Sequence, residues 1–263
     1  MSHFQSLHSN EPLNPNQEMI TNQLRNLEQQ VTLQTYALYY ETEIRIAVKK
    51  PKNSKSSFSD KIKNEMIKSA VNELMAIYLK LFTTLLRSGS MPQTWCNGII
   101  TPLFESGAKS DPSNYRGICI SSGLGKLFCS SLNQRLLDHV KSLDTLHKSQ
   151  IGFLANKHTA DHVLTLRTLI DKYVHGHQTK AYACFVDFRK SFDSGWHDGL
   201  LYKLLQHNVG AKFFSLIESF YANSMCSVRL GSKKNAIFSM RKSRTPGLHL
   251  NEALRCLNYI SVN

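Results

Sequence analysis

The 263-residue chain carries 32 Lys and Arg against 19 Asp and Glu, a formal net charge of +13. That excess points to an anionic partner, most simply nucleic acid. It also comes without an apolar run long enough to span a bilayer, without the layout of a signal peptide, and without a C-x-x-C pair among six cysteines. The expectation is a reduced, nuclear or cytoplasmic protein of one large or two smaller domains, with Cys96, Cys119, Cys129, Cys184, Cys226 and Cys256 as mostly buried thiols.

Residues 1–19 are polar and punctuated by Asn, Pro and Ser, a lead-in rather than an element. Leu24, Leu27 and Val31 then share a helical face. The run Lys49-Lys50-Pro51-Lys52-Asn53-Ser54-Lys55-Ser56-Ser57 is a basic loop, either a solvated linker or a phosphate contact. A long helix is expected over 62–88, with Ile67, Ala70, Val71, Leu74, Ile77, Tyr78, Leu81 and Leu85 as a core stripe and Gly89 as its stop. Gly98 to Phe104 and Tyr115 to Ile120 read as two strands of a hairpin around a polar loop. Leu124 to Val140 is an amphipathic helix with Lys126 and Arg135 off its apolar face. Thr159 is the expected N-cap of a helix carrying Val163, Leu166, Leu169, Ile170 and Tyr173.

Ala181 to Val186 reads as a buried strand that runs into Asp187. A carboxylate there is costly unless it is paired or binds a metal. Two helical patterns follow, around Leu200–Leu205 and Phe213–Tyr221, and then a second hairpin, Cys226 to Leu230 with Ala236 to Met240. The order of elements predicts an α+β fold, an antiparallel sheet with packed helices and a helical N-terminal extension.

The segment AYACFVDFRKSFDS, residues 181–194, resembles the first palm motif of reverse transcriptases in the variant found in non-LTR retrotransposons of the jockey or LINE type. The stretches NYRGICISSGLGKLF, residues 114–128, and SQIGF with TADH resemble the same family. The resemblance implies RNA-directed DNA synthesis by two-metal nucleotidyl transfer. Asp187 would be a catalytic ligand of Mg²⁺, and Phe192 would pack on the nucleotide sugar. Arg116 and Lys109 would contact the dNTP triphosphate, by paired hydrogen bonds and as a point charge respectively. Gln150 and Gly152 would lie along the RNA template. A solvated role for Lys109 and a structural role for Gln150 stay open, and Asp193 suits a helix cap better than a ligand.

By the same resemblance, 1–90 is a lead-in and helical connector, 91–178 is fingers-like, 179–245 is part of a palm, and 246–263 is a degenerate tail. The sequence has Arg244-Thr245-Pro246-Gly247 where the family has an Arg-Gln-Gly segment, and it contains no Asp-Asp pair. The expectation is therefore an N-terminal fragment of the polymerase domain, inactive alone. A non-catalytic module for RNA or RNA–DNA hybrid is the alternative. An unrelated Mg²⁺ phosphohydrolase using Asp187 and Asp193, or a decayed product, are lesser ones.

Overall fold

The computed structural model describes residues 14–28, 38–143, 149–152, 154, 156–176, 179–186, 196–231, 233–234 and 237–239. Its helices are α1 (Pro15–Glu28), α2 (Glu41–Lys49), α3 (Asn64–Ser69), α4 (Met75–Ser88), α5 (Gln93–Cys96), α6 (Gly123–Ser142), α7 (Thr159–Ile170), α8 (His197–Gln206) and α9 (Ala211–Ala222). Its strands are β1 (Asn97–Phe104), β2 (Tyr115–Ser121), β3 (Met225–Leu230), β4 (Lys233–Lys234) and β5 (Phe238–Ser239). The fold is mixed α and β, as the pattern of elements predicts.

Helices α2, α4, α6, α8 and α9 close on one aromatic-centred core. Phe82 of α4 and Phe128 of α6 are fully buried, with ring centroids 4.9 Å apart. Tyr39 stands edge-on to Phe82 at 5.5 Å, and Trp95 lies 5.8 Å from Phe128. Gly125 lets α6 and Trp95 approach closely, since a Cβ would stand 3.1 Å from the Trp95 side chain and push it by a few tenths of an ångström. Complete burial of each large side chain favours folding by about 1.5–3 kcal/mol. Helix α1 packs along α8, with Leu24 buried and Thr21 Oγ1 donating to Asp198 Oδ2 at 3.4 Å.

The expected helix over 62–88 is two helices. Residues 70–74 form turns between α3 and α4, where β-branched Val71 and Asn72 favour helix weakly. The break turns the stripe, so Ile77 is 59% exposed and is not core. The expected stop holds: Gly89 caps α4 at φ 64°, and its N–H donates to Leu85 O at 3.0 Å.

Helix α6 spans the predicted amphipathic stretch, but Arg135 is not left in solvent. Its Nε donates to Glu43 Oε1 at 2.6 Å, and another guanidinium nitrogen donates to Glu43 Oε2 at 2.8 Å. The guanidinium also lies 4.1 Å over the Tyr39 ring. Ser131 Oγ donates to Tyr39 Oη at 3.1 Å, and burial pushes the phenol far above its ordinary range.

The sheet is mixed rather than antiparallel. Its order is β2-β1-β3-β4, with β5 also on β3. Strand β1 pairs antiparallel with β2 and parallel with β3, which returns to it only after α6 through α9. The second hairpin is tighter than expected: Leu230 pairs with Lys233 around Gly231 at φ 60°, and Met240 lies outside the described residues.

The expected burial of 181–186 fails. Residues 181–186 form no strand, and Tyr182, Phe185 and Val186 are 89%, 84% and 73% exposed. Among the described residues they pair with no strand, although β2 is bonded only to β1 and keeps an outer edge. Helix α7 starts at Thr159 with His158 as its N-cap, whose N–H donates to Asp161 Oδ2 at 2.8 Å. None of its residues is buried. Among the described residues no helix is long and apolar enough to cross a membrane.

Candidate nucleic-acid interface

The β1–β2 hairpin presents the first candidate residues. Its loop is fixed by local chemistry rather than by the core. Gly107 has φ 92°, Asp111 Oδ1 accepts from Ser113 N at 2.8 Å, and the Asn114 amide donates to Ala108 O at 3.0 Å. Glu105 N donates to Asn114 O at 3.0 Å and closes the base, while Tyr115 Oη donates to Lys109 O at 2.9 Å. This ordered tip holds Lys109 out, with Nζ 5.8 Å from the Phe104 ring centroid.

Arg116 follows at the start of β2, opposite Leu103. Its Nε donates to Glu105 Oε1 at 3.0 Å, in an ion pair whose side chains are 63% and 50% exposed. So exposed a pair contributes about 0–1 kcal/mol. A phosphate that carries more charge can therefore displace Glu105 from the guanidinium at little cost.

Strand alternation extends this face. Arg116 and Ile118 on β2 and Leu103 on β1 are exposed together, and Thr101 lies opposite Ile118. Arg229 on β3 joins them, its guanidinium 3.5 Å from Thr101 Oγ1. Sequence reading missed Arg229. Only the parallel pairing of β1 with β3 reveals it, and that pairing joins segments more than a hundred residues apart. The opposite face carries Ile100, Cys226 and Val228, with Tyr115, Cys119 and Phe238 packed against them.

At the root of β2, Ser122 caps α6 by accepting from Gly125 N at 3.4 Å, and its hydroxyl donates to Asp60 Oδ2 at 3.0 Å. Lys126, half-buried one turn on, is held below the usual lysine range by burial, while Cys119 and Asp60 act in the opposite sense. The basic loop is pinned to α3. Asn64 donates to Lys52 O at 2.7 Å, Lys68 donates to Asn53 Oδ1 at 2.7 Å, and Glu65 Oε1 accepts from Ser54 N.

Gln150 does not join Arg116, since its amide donates to Gly152 O at 3.1 Å within its own loop. Asp187, Phe192 and Asp193 lie outside the described residues. Among the described residues no three His, Cys, Asp or Glu side chains gather to hold a metal.

Residues 108–247 match the profile of the reverse transcriptase (RNA-dependent DNA polymerase) family, just over half of the chain. The chain belongs to that family. It is 24% identical over 218 residues to the "Probable RNA-directed DNA polymerase from transposon X-element" of Drosophila melanogaster, covering 82% of the chain and 24% of that protein. To the RNA-directed DNA polymerase from mobile element jockey of Drosophila funebris it is 26% identical over 198 residues, covering 74% of the chain and 21% of the relative. The jockey polymerase of Drosophila melanogaster gives 25% over 198 residues, with the same coverage. The chain thus spans about a fifth to a quarter of the length of these curated relatives, which are polymerases of non-LTR retrotransposons.

Proposed function

We propose that the chain serves RNA-directed DNA synthesis as the part of a retrotransposon polymerase that binds nucleotide and template, the fingers with the first part of the palm. The observation that carries the reading is the family match across 108–247, which includes Lys109, Arg116, Gln150, Gly152, Asp187 and Phe192. The ordered β1–β2 loop and the exposed Arg116 support it, because they leave a guanidinium and an ammonium available to a triphosphate. The boundaries 1–90, 91–178, 179–245 and 246–263 belong to the same proposal, as does residence in nucleus or cytoplasm.

Asp187 would be one ligand of a divalent ion such as Mg²⁺, whose chemistry is to activate the primer 3′-oxygen and neutralise the leaving pyrophosphate. Mg²⁺ is held by one or two carboxylates with phosphate oxygens and water. A two-ion site needs further carboxylates, and the 263 residues contain no Asp-Asp pair. These residues therefore bind hybrid and dNTP, and they do not extend a primer unaided.

The test is primer extension on an RNA template with an annealed DNA primer, dNTPs and Mg²⁺ or Mn²⁺, beside Asp187→Ala. Hybrid binding is measured over a salt series in parallel. The expected result is no extension, with binding that weakens steeply as salt rises. Extension abolished by Asp187→Ala would overturn the inactivity of these residues while keeping the role of the aspartate. Binding indifferent to salt would overturn the reading as a whole.

A further inference from the structure

Residues 45–68 hold eight Lys and Arg against two carboxylates, a net +6 of the chain's +13 within 24 residues. Nearly half of the basic excess is thus gathered on α2, the loop after it and α3, outside the segment 108–247 that matches the family. The two carboxylates are turned to neutral donors. Asp60 accepts from Ile62 N and from the Ser122 hydroxyl, and Glu65 Oε1 accepts from Ser54 N. Among the described residues none of the seven lysines of this stretch forms an ion pair.

Between α2 and α3 this charge lines a cleft of about 400 Å³. Arg45, Val48 and Lys49 of α2 line one side, and Lys68 of α3 with Val71 of the following turn lines the other. Neutral side chains fix both sides. Arg45 Nη1 donates to Asn72 Oδ1 at 2.8 Å, and Lys68 Nζ donates to Asn53 Oδ1 at 2.7 Å. Arg45 also pairs with Glu41, but both side chains are open to solvent, and an exposed pair holds weakly. We propose that this cleft is a second nucleic-acid contact, which holds single-stranded RNA by its phosphates without reading its sequence.

The lining selects the occupant. Its polar groups are cationic donors, which suit phosphate oxygens, the guanidinium by paired hydrogen bonds and the ammonium groups as point charges. Val48 and Val71 offer no acceptor to the N–H groups of a peptide and no partner to a base edge, while the face of a sugar or base can rest on them. Arg45 and Lys49 stand about one helical turn apart, roughly 6 Å along the axis, so successive phosphates can use both. Lys52 and Lys55, both exposed, carry the charge out of the cleft along the loop. Helices α2 and α3 pack together, and the cleft between them admits a strand rather than a duplex. It is also separate from the sheet face, because α2 and α3 pack on α6 whereas Arg116 and Arg229 lie on β2 and β3. That the strand is RNA rests on the polymerase reading above.

The test measures binding of the full chain to a short fluorescent oligo(rU) over a salt series, with oligo(dU) and poly-glutamate as competitors. A blunt RNA–DNA hybrid is measured in parallel. Lys49→Gln combined with Lys68→Gln should bind oligo(rU) about tenfold more weakly near ~0.1 M salt, with the slope of log affinity against log salt lowered by about 1.4, or about 0.7 for each lost contact. The corresponding pair of Lys→Arg substitutions should restore both. In the unsubstituted chain, bound oligo(rU) should shield Lys49 and Lys68 from acetylation by an active ester and leave the exposed Lys80 of α4 as reactive as before. This footprint decides the matter even if the glutamine variant fails to fold. Equal labelling of Lys49 and Lys68 with and without oligo(rU), or undiminished affinity in the folded glutamine variant, would overturn the cleft alone if the parent still binds the hybrid. A parent that binds oligo(rU) through these lysines but ignores the hybrid would support the cleft and overturn the polymerase reading. Tighter binding of oligo(dU) would overturn the assignment to RNA. Displacement by poly-glutamate as effective, charge for charge, as by unlabelled oligo(rU) would make the partner an acidic protein and overturn the proposal.

Discussion

In the helical body, side chains from α2, α4, α6, α8 and α9 converge on Phe82 and Phe128, both fully buried. Across β1, β2 and β3 burial instead alternates, and one face keeps Leu103, Arg116, Ile118 and Arg229 in solvent. The body spends its residues on packing, and its Arg135–Glu43 ion pair is itself largely covered. The sheet holds its cations by weak, exposed contacts that a ligand can replace. On the proposed function, stability and binding fall to different sets of residues, and substitutions should separate them.

The largest expected effect lies in the body. Phe128→Ala removes a ring that touches Phe82, Tyr39 and Trp95 and leaves a cavity where α6 crosses α4. The expected loss is about 3–5 kcal/mol, read from urea unfolding. Where the variant is still folded, its affinity for an RNA–DNA hybrid should match that of the parent. A loss below about 1 kcal/mol would mean that the aromatic cluster is not the centre of the core.

This division also marks what the sequence made legible. Helix α6 and the β1–β2 hairpin follow from local signals, namely apolar periodicity and a polar loop with Gly107 and Asp111, whereas the Ser122 cap and the Asn114 contact are seen only in the structure. Lys109 and Arg116 were found through the family resemblance of the segment that carries that hairpin. The break at 70–74 was hidden because the apolar spacing continues through it, while only weak propensity marks the turn. The partnership of Arg229 with Thr101 depends on which strand pairs with which. Edge pairing over such separations leaves no trace in local spacing. Asp187 was legible only as a motif, and its surroundings lie outside the described residues.

A smaller effect is expected from the ion pair that joins α2 to α6. Glu43→Gln keeps the shape of the side chain but removes its charge and leaves one acceptor oxygen where Arg135 now donates to two, at 2.6 and 2.8 Å. The side chains are 14% and 26% exposed, so water replaces the lost partner poorly. The expected cost is about 1.5–3 kcal/mol in unfolding free energy. If the variant unfolds at the same urea concentration as the parent, α2 is not fastened to α6 by charge.

On the sheet the expectation reverses. Arg116→Ala and Arg229→Ala should each change stability by less than about 0.5 kcal/mol, because both side chains lie on the surface. Each should weaken hybrid or dNTP binding. For a side chain that contacts a phosphate, the slope of log affinity against log salt should fall by about 1. Loss of stability with unchanged binding would invert the comparison, and it would place these arginines among the structural residues.

The smallest effect uses pH to probe the body at its edge. His207 follows α8, half-buried, with its carbonyl oxygen 2.8 Å from His139 Nε2. Burial holds its ring below the ordinary value of 6.5, helped by Lys203 and His139 nearby. The unfolded chain therefore takes up this proton at a higher pH than the folded chain does. Stability linked to His207 is fully present above pH 6.5 and is lost as pH falls through that value toward the lower folded one. The urea midpoint of the parent should decline on acidification more steeply than that of His207→Gln, which cannot take up the proton. Every other histidine is common to both chains, so the difference between the two curves isolates this ring. Parallel curves would show that His207 is as well solvated in the folded chain as in the unfolded one, and that the packed body stops short of the end of α8.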